Sequence, residues 1–239
     1  MKIVGALRVK NEARWIERVI RSIQPLCEEV FILDDHSTDD TPALCEALGA
    51  TVYPSTFQGL DETRDKDWLL ERVRPSGADW VLWIDGDEEL RAEDAPLVRS
   101  ALEIGAAPAY SFRFAYLWDS PDMVRVDGVY STIQRPSLFR LDGAGTFRSH
   151  NAGHLHCTNV LGSLRGKSLP LIIRLIHWGY IHREDRLRKY DWYRAQDPHN
   201  PVEDGYRHIV QGDIPEVPAH IKTKHAGPLE IVPLETFLR

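Results

Sequence analysis

The chain has 239 residues, 43% of them hydrophobic, so it can bury a sizeable core, and one α/β domain with a short appendage is the expectation at this length. Its 36 acidic residues outnumber 29 Lys and Arg for a formal charge of -7, with no Lys/Arg block, so duplex nucleic acid is not an expected partner. Cys27, Cys45 and Cys157 form no CxxC pair and read as core thiols of a reducing compartment; no stretch is long enough to span a bilayer, so a soluble cytoplasmic protein is expected, with peripheral contact at the inner face of the membrane left open.

IVGAL at 3–7 reads as a strand, and Trp15, Ile16, Val19, Ile20 and Ile23 predict a helix over 13–23 with one apolar face. VFILDD at 30–35 is a continuous apolar run ending in two acids, the texture of a central strand buried on both faces. The next helix should be capped by Ser37 or Thr38, carry Pro42 in its first turn, where a missing N–H costs nothing, and end at Gly49. ATVYP is the third strand. Residues 61–73 predict a helix with Trp68, Leu69 and Val73 inward, broken by Pro75, Ser76 and Gly77 before a fourth strand, DWVLWID at 79–85, and a further helix over 93–104. This alternation makes parallel sheets, because each crossover helix covers a sheet face. From about residue 108 aromatic and β-branched runs predict a strand-rich half of mixed direction, then one late helix over 182–196 and a tail of weak periodicity beyond Pro198.

Asp85 and Asp87 stand two apart at the carboxyl end of the fourth strand, so in extended geometry both side chains point to one side. Gly86 removes side-chain bulk between them and lets a phosphate or ribose approach the backbone. Such carboxylates suit a hard cation, Mn²⁺ or Mg²⁺, that keeps open positions for diphosphate oxygens, and carboxyl strand ends are where open α/β sheets bind ligands. The plainer reading is a polar turn after a buried strand. An EF-hand calcium loop fails, because its sixth position, counted from Asp85, is Leu90 and not Gly. A phosphatase resembling the haloacid dehalogenases would have Thr or Val where Glu89 stands.

Four segments in order, RVKNEARWIERVIRSI, VFILDDHSTDDT, DETRDKDWLLE and DWVLWIDGDEEL, together resemble family 2 glycosyltransferases of the GT-A fold. The resemblance covers residues 1–90, returns near LIIRLIHWGYIHRED, and is to small bacterial members that build surface glycans. It implies an α/β, Rossmann-like, nucleotide-diphospho-sugar transferase fold with a central mostly parallel sheet and a mixed, strand-rich second half. It makes Asp35 the partner of the donor base, since a carboxylate accepts the N3–H of uracil. Asn11 and Glu12 match the pair that lies near the nucleoside, although Lys10 stands where the family often has a small or aromatic residue. Arg64 matches a basic residue that reaches the nucleoside or diphosphate; Asp87 is given the metal, and Asp85 the ribose and a share of the metal. Each has a plainer reading: Asp35 as partner of a helix N-terminus, Glu12 as a helix cap, Arg64 as a solvated partner of Asp61 or Asp67.

The implied activity is metal-dependent transfer of a sugar from a nucleotide-sugar donor, a UDP-sugar first, to a glycan, lipid-linked or small-molecule acceptor, with inversion. The implied organisation is a single catalytic domain over 1–197, divided into a nucleotide-binding half (1–105) and an acceptor half (106–197), with a C-terminal wrapping segment over 198–239. His177 is in the region of a late histidine that joins the metal shell in many GT-A enzymes, or is a buried hydrogen-bonded residue. The carboxylate base expected of the family has no Glu-Asp signature here. Where the acceptor side is expected, FRSHNAGHLHCTN carries His150, His154 and His156; His156 and Asp119 are the candidate bases, with Asp127 a further carboxylate. A rival reading is an inactive nucleotide-sugar-binding protein of the same fold. A sugar nucleotidyltransferase would need a Gly-rich loop after the first strand, and LRVKNEARW has no Gly.

Overall fold

The structure is a computed structural model that describes residues 1–142, 145–148, 157–165, 168–196 and 205–238. The chain divides into two compact units, one of Met1–Phe112 with Arg135–Ile173 and the other of Arg113–Gln134 with Arg174–Arg239.

The first unit opens with β1 (Ile3–Val9), α1 (Ile16–Ile23), β2 (Glu29–Asp34), α2 (Thr41–Ala47), β3 (Thr51–Pro54), α3 (Glu62–Val73), β4 (Trp80–Trp83), β5 (Glu88–Leu90) and α4 (Ala95–Ile104). Strands β4, β1, β2 and β3 lie side by side in that order and run parallel, as the alternation of apolar strand and crossover helix predicts. The register sets Val9 beside Asp34 and Ala6 beside Trp83, so the ends of β1, β2 and β4 reach one edge of the sheet. Ile16, Val19, Ile20 and Ile23 bury one face of α1 completely, and each contributes about 1.5–3 kcal/mol relative to exposure.

Helix α1 begins at Ile16 instead of residue 13, because the Ala13 N–H goes to the Asp39 carboxylate at 3.1 Å and Glu12 O accepts the N–H groups of Trp15 and Ile16. The caps expected of Ser37 and Thr38 are also committed elsewhere. Ser37 Oγ accepts Asn11 N–H at 2.8 Å, the Thr38 N–H goes to Asn11 Oδ1 at 2.7 Å, and α2 starts with Asp40 as an N-cap whose side chain makes no capping hydrogen bond. Trp68 is half-buried, edge-on to Tyr53 and Phe57 under the Arg72 guanidinium.

Strand β6 (Ala109–Trp118) passes from the first unit into the second, which continues with β7 (Ser120–Arg125) and α5 (Val129–Thr132). Strand β8 (Gln134–Arg140) then pairs antiparallel with β4 in the first unit, Val81 beside Phe139. The chain goes on through β9 (Ser168–His177), α6 (Arg183–Gln196), β10 (Ile231–Pro233) and α7 (Leu234–Leu238). In the second unit β10, β7 and β6 form an antiparallel ladder around Trp118 and Tyr130, with Val232 and Leu117 on either side of Val124. Its centre holds Arg125, fully buried, bonded to both Asp127 oxygens at 2.8 and 2.9 Å and lying over the Tyr130 and Trp118 rings. The mixed direction is as expected; the strand within the tail, β10, has three residues, too few to show periodicity. Among the described residues no helix is long and apolar enough to cross a membrane.

Candidate functional site

Chemistry-bearing residues of the first unit gather where β1, β2 and β4 end. Asn11 sits immediately beyond β1 with φ 55, a conformation that Asn tolerates better than most residues, and this aims its amide at the loop after β2. Its backbone and side chain together hold Ser37 and Thr38, while Glu12 N–H donates to Thr41 Oγ1 at 2.8 Å. The two loops are thereby tied into one ledge.

Asp35 lies on that ledge, buried, with Oδ2 accepting from Arg8 Nη2 at 2.6 Å and lying 3.6 Å from the Lys10 ammonium. Arg8 continues inward: its Nε donates to Asp65 Oδ2 at 2.9 Å, and Asp65 Oδ1 accepts Arg64 Nε and Nη2 at 2.9 and 2.7 Å. An alternating chain of charges therefore joins Asp35 to Arg64 through two residues that sequence reading passed over. Arg64 is paired with Asp65, not with the Asp61 or Asp67 side chains considered for it; Asp61 instead caps α3 by accepting the Arg64 N–H at 3.0 Å. The missed signal was the position of Asp65 and Lys66 on the inner face of α3, where an apolar stripe would be expected.

The acidic triplet differs from its expected geometry. Strand β4 ends at Trp83, and Asp85–Gly86–Asp87 makes a turn closed by Glu88 N–H to Asp85 O at 3.1 Å, so the alternation of an extended strand does not apply. The space beside Gly86 is occupied from within: a Cβ there would lie 2.8 Å from Glu12 Cγ and 3.1 Å from Val9 Cγ1. Glycine at this position lets the β1 loop pack against the turn, which brings Glu12 to the acids. Glu88 takes part as well, its buried carboxylate accepting Asp85 N–H at 3.0 Å.

Arg135 at the start of β8 bonds to Asp85 Oδ2 at 3.0 Å and to Glu88 Oε1. Burial opposes the Asp85 charge, but the Arg135 guanidinium and the Lys66 ammonium outweigh it and hold that carboxyl below its ordinary value. Burial, reinforced by Asp85 and Asp87 and resisted by Arg135, pushes the Glu88 carboxyl up. Lys66 itself is buried and donates to Asn159 Oδ1 at 2.6 Å.

As a cation site the turn offers hard carboxylate oxygens on Asp85, whose side chain is 47% exposed, and on the more buried Asp87. Among the described residues no three of His, Cys, Asp and Glu gather to hold an ion unaided. The donor set fits an ion that takes one or two carboxylates and completes its shell with water and phosphate, as Mg²⁺ does.

In the second unit His177 is buried between the Tyr116 and Tyr180 rings, 4.9 and 4.5 Å centroid to centroid. Asp119, exposed and at φ 60, has its carboxylate 2.8 Å from Arg186 Nη2. Asp127 is engaged by Arg125 and by Glu230 N–H. His150, His154 and His156 lie outside the described residues.

Comparison with known proteins gives the same direction. Residues 7–162 match the family described as Glycosyl transferase family 2. A glycosyltransferase of Rickettsia felis is 40% identical over 92 residues, 38% of this chain and 31% of the relative. A protein of Mycobacterium tuberculosis is 24% identical over 219 residues, 83% of this chain and 51% of the relative. The chain thus spans from about a third to about half the length of these curated relatives. Among solved structures, S. aureus TarS superposes with a TM-score of 0.55 over 88% of this chain and 42% of that one, at 14% identity, a likeness of fold.

Proposed function

The chain belongs to glycosyl transferase family 2 and has the α/β GT-A fold, and from that premise we propose that it transfers a sugar from a nucleotide-sugar donor, a UDP-sugar first, to a glycan, lipid-linked or small-molecule acceptor with inversion. The observation that carries this reading is the convergence of Asn11, Glu12, Asp35, Arg64, Asp85 and Asp87 at one sheet edge, where parallel α/β folds bind ligands.

In this reading Asp35 accepts the base N–H, oriented by Arg8, and the Asn11–Glu12 ledge carries the nucleoside. Arg64, stacked on Phe57 at 4.4 Å and steadied by Asp65, lends positive charge on the nucleotide side. Asp87 and Asp85 would hold Mn²⁺ or Mg²⁺, which supplies Lewis-acid stabilisation of the leaving diphosphate when bound. Asp85, kept ionised by Arg135 and Lys66, is ready to bind ribose hydroxyls or the ion. The proton of the acceptor hydroxyl goes to His156 or Asp119, with His177 proposed as a further metal ligand. The reading takes the protein to act in the cytoplasm, at the inner membrane face if its acceptor is lipid-linked.

The test is thermal shift with four nucleoside diphosphates, with and without Mn²⁺, on the wild type and Asp87→Asn. Metal-dependent stabilisation by at least one nucleotide, lost in the variant, is expected; its absence for all four in the wild type overturns the donor reading. A second reading, donor binding without transfer, draws on the pairing of both described candidate bases, Asp119 and Asp127, with arginines, which engages their carboxylate oxygens. Release of free sugar or its transfer from a bound donor excludes it.

A further inference from the structure

The acidic turn holds a cation of its own, Arg135. Arg135 places Nη1 3.0 Å from Asp85 Oδ2 and Nη2 against Glu88 Oε1, while Glu88 Oε2 accepts Asp85 N–H at 3.0 Å. One guanidinium therefore bridges the first and fourth residues of the turn. The two ends differ in surroundings: the Glu88 side chain is 1% exposed, Arg135 30% and Asp85 47%. The Glu88 end is anchored, since parting it would leave a buried carboxyl group without its hydrogen-bond partner. The Asp85 end faces water, where an ion pair is worth little and exchanges readily.

Resting on the reading of Asp85 and Asp87 as metal and diphosphate residues, we propose that Arg135 is a positioning residue that makes cation and diphosphate binding interdependent. Held at Glu88, it occupies Asp85 in the nucleotide-free protein, and it passes its Nη1 N–H from Asp85 to a diphosphate oxygen when the cation takes Asp85. A divalent ion arriving alone must displace the guanidinium and leave two cations side by side, with no anion gained. A diphosphate arriving with the ion supplies the acceptor that Arg135 loses, and its oxygens suit the planar fork. Each ligand then strengthens the other by the same factor.

The experiment measures Mn²⁺ binding by electron paramagnetic resonance, with and without saturating uridine diphosphate, on wild type, Arg135→Gln and the double variant Glu88→Gln/Arg135→Gln. Circular dichroism follows the fold. In the wild type the nucleotide should tighten Mn²⁺ binding by roughly 5- to 150-fold, the range of such couplings, and in the variants this gain should shrink several-fold, to what the direct ion–diphosphate contact supplies, while Mn²⁺ alone binds several-fold tighter. The double variant removes the buried carboxylate together with its partner, so a single variant that fails to fold does not end the test. Folded variants that keep the wild-type gain and bind Mn²⁺ alone no tighter overturn the role of Arg135 and leave the donor reading standing. A wild type in which uridine diphosphate does not tighten Mn²⁺ binding overturns the coupling, and the donor reading falls with it when none of the four nucleoside diphosphates does.

Discussion

Arg8 and Asp35 face each other at 2.6 Å where neighbouring parallel strands end, and the same guanidinium reaches Asp65, fully buried, at 2.9 Å. One side chain thus serves two carboxylates of low solvent access. Arg8→Met is expected to cost about 3–5 kcal/mol, because both acids lose a buried partner. Urea unfolding at neutral pH measures it. A loss below about 1 kcal/mol would mean that the bridge has the energetics of an exposed pair. Nucleotide binding should weaken in the same variant as Asp35 loses its orientation.

Gly86→Ala places a methyl group 2.8 Å from Glu12 Cγ and 3.1 Å from Val9 Cγ1, where both neighbours belong to the β1 end and its loop. The expected cost is about 1–3 kcal/mol of overpacking. Shortening the neighbour should relieve it, so Gly86→Ala in a Glu12→Ala background should cost markedly less than in the wild type. Thermal unfolding of the four proteins of this cycle measures the coupling. Additive effects would place the strain at Val9 and remove Glu12 from the turn.

Much of the first unit could be read from the sequence because its signals are local. VFIL is apolar throughout since both sheet faces are covered, and the turn chemistry of Pro75–Gly77 separates α3 from β4 without reference to the rest of the fold. Asp35, Asp85 and Asp87 stand out because acids directly after apolar strands are conspicuous. Arg8, Asp65 and Arg135 do not, because their roles rest on pairings across 57 positions of chain in Arg8–Asp65 and 50 in Arg135–Asp85. The same holds in the second unit, where the buried Arg125 and Arg186 look like surface residues until Asp127 and Asp213 are seen against them. Ser37 and Thr38 show the opposite failure, plausible local caps that a contact with distant Asn11 outcompetes.

Cys27, Cys45 and Cys157 are free and buried, in line with their reading as core thiols. Burial pushes both the Cys27 and Cys45 thiols up to about 12, and raises Cys157 as well. The thiolate is the reactive form, so at pH 8 the folded protein should show essentially no reaction with a disulfide reagent such as DTNB, and three thiols should appear on denaturation. A single fast-reacting thiol in the native protein would reveal an opening around that residue.

His208 is a half-buried base in the second unit. Its Nδ1 is 2.7 Å from the Tyr130 hydroxyl, the His225 ring lies 5.3 Å away, and Arg125 donates to its carbonyl at 2.6 Å. Burial first, then the His225 and Arg125 charges, lower its pKa from 6.5 to about 3. The unfolded chain therefore takes up a proton at this site as pH falls through 6.5 while the folded chain does not, so its contribution to stability is complete above 6.5 and is lost progressively toward 3. The slope from one such group is at most about 1.4 kcal/mol per pH unit. His208→Gln, which keeps a polar partner for Tyr130 and does not titrate, should be less stable than wild type at pH 7.5 through altered packing, yet lose less stability on acidification. The two urea-unfolding free energies should converge between pH 6 and pH 4. Parallel curves would assign the acid sensitivity of the fold to other groups, and would mean that the His208 ring is hydrated in solution and not enclosed by Tyr130, His225 and Arg125.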